Sequence, residues 1–319
     1  MLRALLLWLS RSRRVRRWMS RSALGLRVSR RFVAGETLEE GLQVARALQE
    51  QGYLVTLAHL GEWVHTEEDA RRAKEDIQRL IQAVGQQGVR AYVSVKLSHL
   101  GIHLSPELSL TLMRELLETA RSWEMMLRID MEEHALVEPT LELHRTLWDE
   151  GYRNLGLVIQ AYLYRSEGDL RRLIQMRVPV RLVKGAYREP PSVAFPRKRD
   201  VDANFDRLAR MLLEAARAPE SPRLSTNGRG APLAAIATHD WNRIEYALAY
   251  AERLGLTHEA LEFQMLYGIR RDLQERLRAM GYPVRIYVPF GEEWYPYFMR
   301  RLAERPANLF FFLKHLFRK

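Results

Sequence analysis

Eight times along this chain a short run of β-branched and apolar residues gives way to a longer segment with helical periodicity. That alternation constrains the fold more than any other feature. The runs are Y-L-V-T-L-A-H-L at 53–60, A-Y-V-S-V-K-L at 91–97, M-M-L-R-I-D at 125–130 and N-L-G-L-V-I-Q at 154–160. V-P-V-R-L-V-K at 178–184, A-A-I-A-T-H-D at 234–240, E-F-Q-M-L-Y at 262–267 and V-R-I-Y-V at 284–288 complete the set. Between them the periodicity predicts helices over 38–50, from Thr66 to near Gly85, and over 107–121, 138–150, a short stretch from Asp169, and 201–217. Three more run to 254, to Met280 and over 293–304. Thr37 with Glu40 reads as a capping box, and Thr66 with Asp69 as another helix start. Eight strands alternating with helices, joined by right-handed crossovers, predict an α/β (β/α)8 TIM barrel. No G-x-G-x-x-G follows a strand, which disfavours a Rossmann sheet. The Pro/Gly/Ser-rich stretch P-E-S-P-R-L-S-T-N-G-R-G at 219–230 reads as a surface loop.

A length of 319 residues suits one closed barrel, and 47% hydrophobic content supports a full core. The absence of cysteine removes disulfides, thiolate nucleophiles and cysteine-ligated metals. The histidines show no metal-binding spacing, and no G-x-S-x-G is present. The formal charge of +11 is placed unevenly: residues 1–31 hold Arg11, Arg13, Arg14, Arg16 and Arg17 among other arginines, and no acid. We therefore divide the chain into a basic helical arm, 1–36, and a catalytic barrel, 37–319. With Leu5, Leu6, Trp8, Leu9 and Trp18 among its arginines, the arm could lie on an anionic membrane surface, or pack on its own barrel or a sister subunit. Nucleic acid is disfavoured, because the rest of the chain is close to neutral. The opening apolar run is too short to span a bilayer and lacks a convincing cleavage site, so a cytoplasmic enzyme, peripheral on the membrane's inner face, is expected.

Barrels carry chemistry at the C-terminal ends of their strands. Here those ends supply Lys96, Asp130, Gln160, Arg181 with Lys184, His239, Gln264 and Tyr287. Positive charges in a strand-like segment are costly to bury unless something anionic meets them. Gly185 lets backbone approach a flat or phosphorylated ligand. On the last helix Tyr297, Arg300 and Arg301 share one side, and paired guanidiniums suit a small planar carboxylate. Structural readings stay open for each: an ion pair of Lys96 with Asp130, loop support by Gln160 and Gln264, a capping role around His239. At the level of function, a barrel acting on a phosphorylated or keto-acid substrate and a non-catalytic binding module using the arm also stay open.

The segments L-G-E (60–62), V-S-V-K-L (93–97), L-R-I-D-M-E (127–132), V-I-Q-A-Y-L-Y-R (158–165) and R-L-V-K-G-A-Y-R-E-P (181–190) resemble the proline dehydrogenase (proline oxidase) family. So do A-T-H-D (237–240), F-Q-M-L-Y-G (263–268), V-R-I-Y-V-P-F-G (284–291) and W-Y-P-Y-F-M-R-R-L-A-E-R-P-A-N (294–308). The match runs from about residue 30 to 312, and is nearest the short, single-function bacterial form. The resemblance implies a distorted barrel with the last helix over its mouth, and oxidation of L-proline to 1-pyrroline-5-carboxylate with FAD, by hydride transfer from proline C5 to flavin N5. It further implies that Arg300, Arg301 and Lys96 hold the proline carboxylate, with Asp130 compensating that cluster, and that Leu266, Tyr287 and Tyr297 shape the pocket. Arg181 is expected near flavin N5, with Gln160, the Met131 backbone and Lys184, Gly185 and Ala186 along the cofactor. Thr238 and His239 take the adenine half, and Glu304 braces the cofactor side. Electrons are expected to pass to a quinone or another acceptor, and a homo-oligomer stays open. Two departures stand out. Ala58 and His59 occupy a first strand where the family often has an acid, and the 219–230 loop is longer and more basic than expected.

Overall fold

A computed structural model describes residues 30–304, with side chains as far as Met299. Eight parallel strands close into a barrel in chain order, β1 to β8, with β1 also paired to β8. They are β1 Leu54–His59, β2 Ala91–Val95, β3 Leu127–Ile129, β4 Leu155–Gln160, β5 Val180–Val183, β6 Ala234–Ala237, β7 Leu261–Leu266 and β8 Val284–Phe290. The helices are α1 Leu38–Glu50, α2 Glu67–Gln86, α3 Pro106–Arg121, α4 Val137–Asp149, α5 Ser166–Gln175, α6 Lys198–Ala215, α7 Trp241–Arg253, α8 Arg271–Ala279 and α9 Trp294–Glu304. The expected α/β barrel is thus the observed one. No helix among the described residues is long and apolar enough to cross a membrane.

The helices start where local chemistry dictates. Thr37 and Glu40 form the reciprocal capping box of α1, and Thr66 accepts the Asp69 amide at α2. Each helix buries an apolar stripe against the sheet, as Ile77, Leu80, Ile81 and Val84 do on α2. Strand register decides which residues point inward. Thr56 pairs with Tyr92 and Tyr287, Ser94 with Arg128, Val158 with Arg181, Ala237 with Gln264, and Leu266 with Tyr287. These neighbours share one face of the pleat, and in a closed barrel that face is the lumen.

Of the basic arm expected over 1–36, only residues from Arg30 onward are described, and they lie on the barrel. Phe32 is buried with its ring 6.1 Å from that of Phe298, Ala34 donates to Pro289 O at 2.9 Å, and Glu36 accepts Trp294 Nε1 at 2.8 Å. Those contacts tether α9 to the end of β8. The rest of the arm lies outside the described residues.

The stretch 219–230 is the irregular loop that its composition predicts, but most of it is half-buried rather than open to solvent. It folds beneath the barrel, and the Arg229 guanidinium donates to the carbonyls of Gly85, Val89 and Trp123 at 3.1–3.3 Å. Its basic character has a structural use: the C-terminal turn of a helix leaves carbonyls without partners, and an arginine fork satisfies several at once. Gly228 and Gly230 present carbonyls upward to Arg285 in the lumen.

Candidate active site

At the C-terminal ends of β2, β3, β5, β7 and β8 one hydrogen-bonded cluster fills the top of the lumen. Asp130, immediately after β3, is its hub. Its Oδ1 accepts Arg181 Nη1 at 2.6 Å and Ser94 Oγ at 3.1 Å, and its Oδ2 accepts the Tyr287 hydroxyl at 2.7 Å. Arg181 is held from two further directions, by Gln264 Oε1 on Nε at 2.5 Å and by Ser94 Oγ on Nη2 at 3.3 Å. Its guanidinium also lies 5.3 Å from the centre of the Tyr287 ring. Burial works against the charge on Arg181, but Tyr92 and Asp130 more than restore it, and its pKa rises. Burial pushes the Tyr287 phenol well up, and the Asp130 charge adds to the shift. Tyr287 therefore keeps its proton and donates it.

The sequence expectation paired Asp130 with Lys96 and the terminal arginines; in the fold its described partners are Arg181, Ser94 and Tyr287. Lys96, in the residue after β2, instead faces Glu62 at 3.6 Å, both half-buried at the rim. Leu266 and Tyr287 are half-exposed register partners on the inner wall, and Tyr297 is buried beside Tyr287. The backbone of Arg300, Arg301 and Glu304 continues α9. The side chains that would form the clamp, and that of Glu304, lie outside the described residues.

On the β4–β6 side, Gln160 donates Nε2 to the carbonyls of Met131 at 3.3 Å and Glu132 at 3.1 Å. That fixes the amide, and leaves Gln160 Oε1 buried with no partner among the described residues. A buried acceptor of this kind calls for a ligand N–H or O–H. Gly185 has φ +110°, and a Cβ there would come within 2.2 Å of the Tyr162 ring. Its lack of a side chain lets the strand end lie flat on that tyrosine. Ala186 is exposed beyond it.

Lys184 turns away from the lumen and bridges Asp202 of α6 at 2.5 Å and Asp240, the N-cap of α7, at 2.6 Å. Burial alone would raise both carboxyls; the Lys184 and Lys198 contacts outweigh it and lower their pKa values. Thr238 is buried and accepts the Asp240 amide at 3.2 Å. His239 Nε2 accepts the Leu266 amide at 2.9 Å, which joins the ends of β6 and β7. Ala58 stands where the family often has the acid and is buried, and His59 beside it is half-buried, stacked 5.8 Å from His99 and tilted 5.4 Å from Phe290. Burial lowers the pKa of both histidines, that of His99 to about 3.

Four lumen residues escaped the reading of the sequence: Tyr92, Arg128, Glu262 and Arg285, all fully buried. The signal was available. Each stands two residues before a residue singled out or found in the cluster: Ser94, Asp130, Gln264 and Tyr287. A period of two puts both members of each pair on the same face.

These features suit an isoalloxazine: a buried free acceptor at Gln160, backbone closely approachable at Gly185, and a rigidly held cation at Arg181. Among the described residues no group of three His, Asp or Glu side chains is placed to hold a metal ion.

A family model described as "Proline dehydrogenase" matches residues 41–313. The chain is 39% identical over 320 residues to Proline dehydrogenase 1 of Bacillus subtilis (strain 168), with 100% of both chains covered. It is 41% identical over 288 residues to Proline dehydrogenase of Deinococcus radiodurans, covering 89% of this chain and 88% of that protein. Among solved structures, proline utilization A (PutA) from Bdellovibrio bacteriovorus inactivated by N-propargylglycine superposes with a TM-score of 0.77 at 27% identity. That match covers 88% of this chain and 33% of the longer PutA chain.

Proposed function

The chain belongs to the proline dehydrogenase family, and on that premise we propose that it oxidises L-proline to 1-pyrroline-5-carboxylate using FAD, with a quinone-type acceptor taking the electrons onward. FAD, when bound, supplies the acceptor for the hydride leaving proline C5. Gln160, the Met131 backbone, Gly185, Ala186 and Arg181 would hold its ring system and Thr238 and His239 its adenine half, with Glu304 bracing the cofactor side. Lys184 serves that site indirectly, by tying the end of β5 to α6 and α7 through Asp202 and Asp240.

The observation that carries this reading is the immobilisation of Arg181. Asp130, Ser94 and Gln264 each take one of its N–H groups, so the guanidinium has one orientation and spare donors. A cation fixed in advance stabilises negative charge as it develops, without reorganising during the reaction. Lys96, Arg300 and Arg301 grip the carboxylate of proline, while Leu266, Tyr287 and Tyr297 pack on its ring and align C5. Asp130 acts electrostatically, orienting Arg181 and Tyr287; the proline nitrogen loses its proton to solvent.

Full-length protein reconstituted with FAD should show flavin absorption in the visible that bleaches when L-proline is added without oxygen. Protein that binds no FAD, or binds it and stays yellow, would sink the proposal. Arg300→Ala with Arg301→Ala should abolish bleaching at proline concentrations that saturate the parent; undiminished bleaching would remove the clamp. For the arm, we propose peripheral attachment to anionic lipid. Vesicles containing anionic lipid should float the full chain in low salt but not a chain lacking residues 1–31.

A further inference from the structure

Beneath the Asp130–Arg181 pair lies Tyr92, with no exposed surface. Its hydroxyl oxygen meets donors: Arg128 Nε at 3.2 Å and Gln264 Nε2 at 2.9 Å. The Gln264 amide cannot be reversed to offer its oxygen instead. Its Oε1 already accepts Arg181 Nε at 2.5 Å, and its Nε2 also donates to Glu262 Oε1 at 2.5 Å. Turned over, it would set an amide N–H against a guanidinium N–H, and an amide oxygen against a carboxylate. Among the described residues no acceptor reaches the Tyr92 hydroxyl, so a phenol proton there would be a buried donor without a protein partner.

The surrounding charges lead to the same place. Among the described residues, Arg128 on β3, Arg181 on β5 and Arg285 on β8 share the lumen with the carboxylates of Asp130 and Glu262, leaving one cation in excess. Arg285 is paired with Glu262 at 3.0 Å, and Arg181 with Asp130 at 2.6 Å. Among the described residues Arg128 has no acid in ion-pair contact. It donates Nη1 to the carbonyls of Leu157 and Pro179 at 2.9 and 3.0 Å, and its Nη2 has no partner among the described residues. The guanidiniums of Arg128 and Arg285 lie 5.4 and 4.2 Å from the centre of the Tyr92 ring. An isolated buried cation is costly, and an anion beside Arg128 removes that cost.

We propose that Tyr92 is ionised in the folded protein, a buried phenolate that pairs with Arg128 and, through Gln264, positions the guanidinium of Arg181. The proton passes to solvent as the chain folds. Burial works against the charged phenol; Arg128 and Arg181 outweigh it, Arg285 assists, Glu262 opposes, and the pKa of Tyr92 falls on balance. Tyr287 provides the contrast within one barrel. It has Asp130 to receive its proton and remains a phenol, whereas the groups that meet Tyr92 can only donate.

The ionisation is independent of the flavin reading and can be measured on the full chain with or without FAD. With tyrosine labelled at Cζ with carbon-13, one of the 13 tyrosines should resonate at the tyrosinate position at neutral pH. Unfolding in denaturant at the same pH should remove the near-ultraviolet absorbance of one tyrosinate. The signal should vanish in Tyr92→Phe. It should vanish also in Arg128→Met, which keeps the tyrosine but removes a cation and a donor. No ionised resonance in the parent, or one that survives in either variant, overturns the proposal. If Tyr92→Phe does not fold, the parent and Arg128→Met decide. In FAD-loaded protein Tyr92→Phe should also raise the flavin reduction potential, since it removes a negative charge near Arg181. An unchanged potential overturns the link to Arg181.

Discussion

Tyr287 is the residue whose two parts can be tested apart. Its ring lines the inner wall beside Leu266, and its hydroxyl donates to Asp130 at 2.7 Å. Tyr287→Phe keeps the ring and leaves Asp130 Oδ2 short of one donor, at a cost of about 1.5 kcal/mol, or roughly tenfold. Steady-state oxidation of L-proline should show kcat/KM down by about that factor with flavin binding unchanged. A loss falling on flavin affinity instead would mean that the hydroxyl serves the cofactor. Much of this cluster was legible beforehand. Asp130, Arg181 and Tyr287 stand out because a charged or hydroxylated residue at the C-terminal end of a buried strand has few structural uses. Which partner each would take was not legible. The expected Lys96–Asp130 pairing gave way to Arg181–Asp130 and Lys96–Glu62, because the barrel lumen joins β3 to β5 and β8 across its width, a distance that strand order does not encode.

At the scale of elements, the turns between helix and strand carry different constraints at the two ends of the barrel. Gly151, after α4, has φ +97°, and a Cβ there would meet nothing within 4 Å. Gly185, at the opposite end after β5, has φ +110° and the Tyr162 ring 2.2 Å from where a Cβ would sit. Gly151→Ala should therefore destabilise only through its backbone, by about 1 kcal/mol. Gly185→Ala should cost more, because the strand end must also lift from Tyr162, and it should weaken FAD binding. Denaturant midpoints and FAD titration of both variants check this. FAD affinity unchanged in Gly185→Ala would remove that segment from the cofactor site. Helix and strand positions follow from periodicity and capping residues with errors of a few residues, since those signals act within one element. Composition marked 219–230 as a loop but not its packing against the barrel. Only the carbonyls of three other elements, brought together by the fold, explain Arg229.

For the whole molecule, acid stability provides a test of how the barrel and its helical coat treat histidine. His144 on α4, stacked 5.5 Å from Trp148, is held at a pKa of about 3 by burial, and His99 falls to about the same value. Both stay neutral in the fold, while the unfolded chain protonates below 6.5. Their contribution is whole above 6.5 and is lost as pH falls toward 3, each by about 1.4 kcal/mol per pH unit. Melting temperature should drop steadily below pH 6.5, and His144→Leu should make that slope shallower; an unchanged slope would mean that His144 titrates normally. The count of strands, their alternation with helices and the family were determined by the sequence alone, because periodicity and short motifs are local properties of a chain. Tertiary structure decided what the lumen contains. Closing the barrel brings Arg128, Arg181 and Arg285 together with Asp130, Glu262 and Tyr92, residues scattered over some two hundred positions of sequence, and their charges take on meaning only when water is excluded between them.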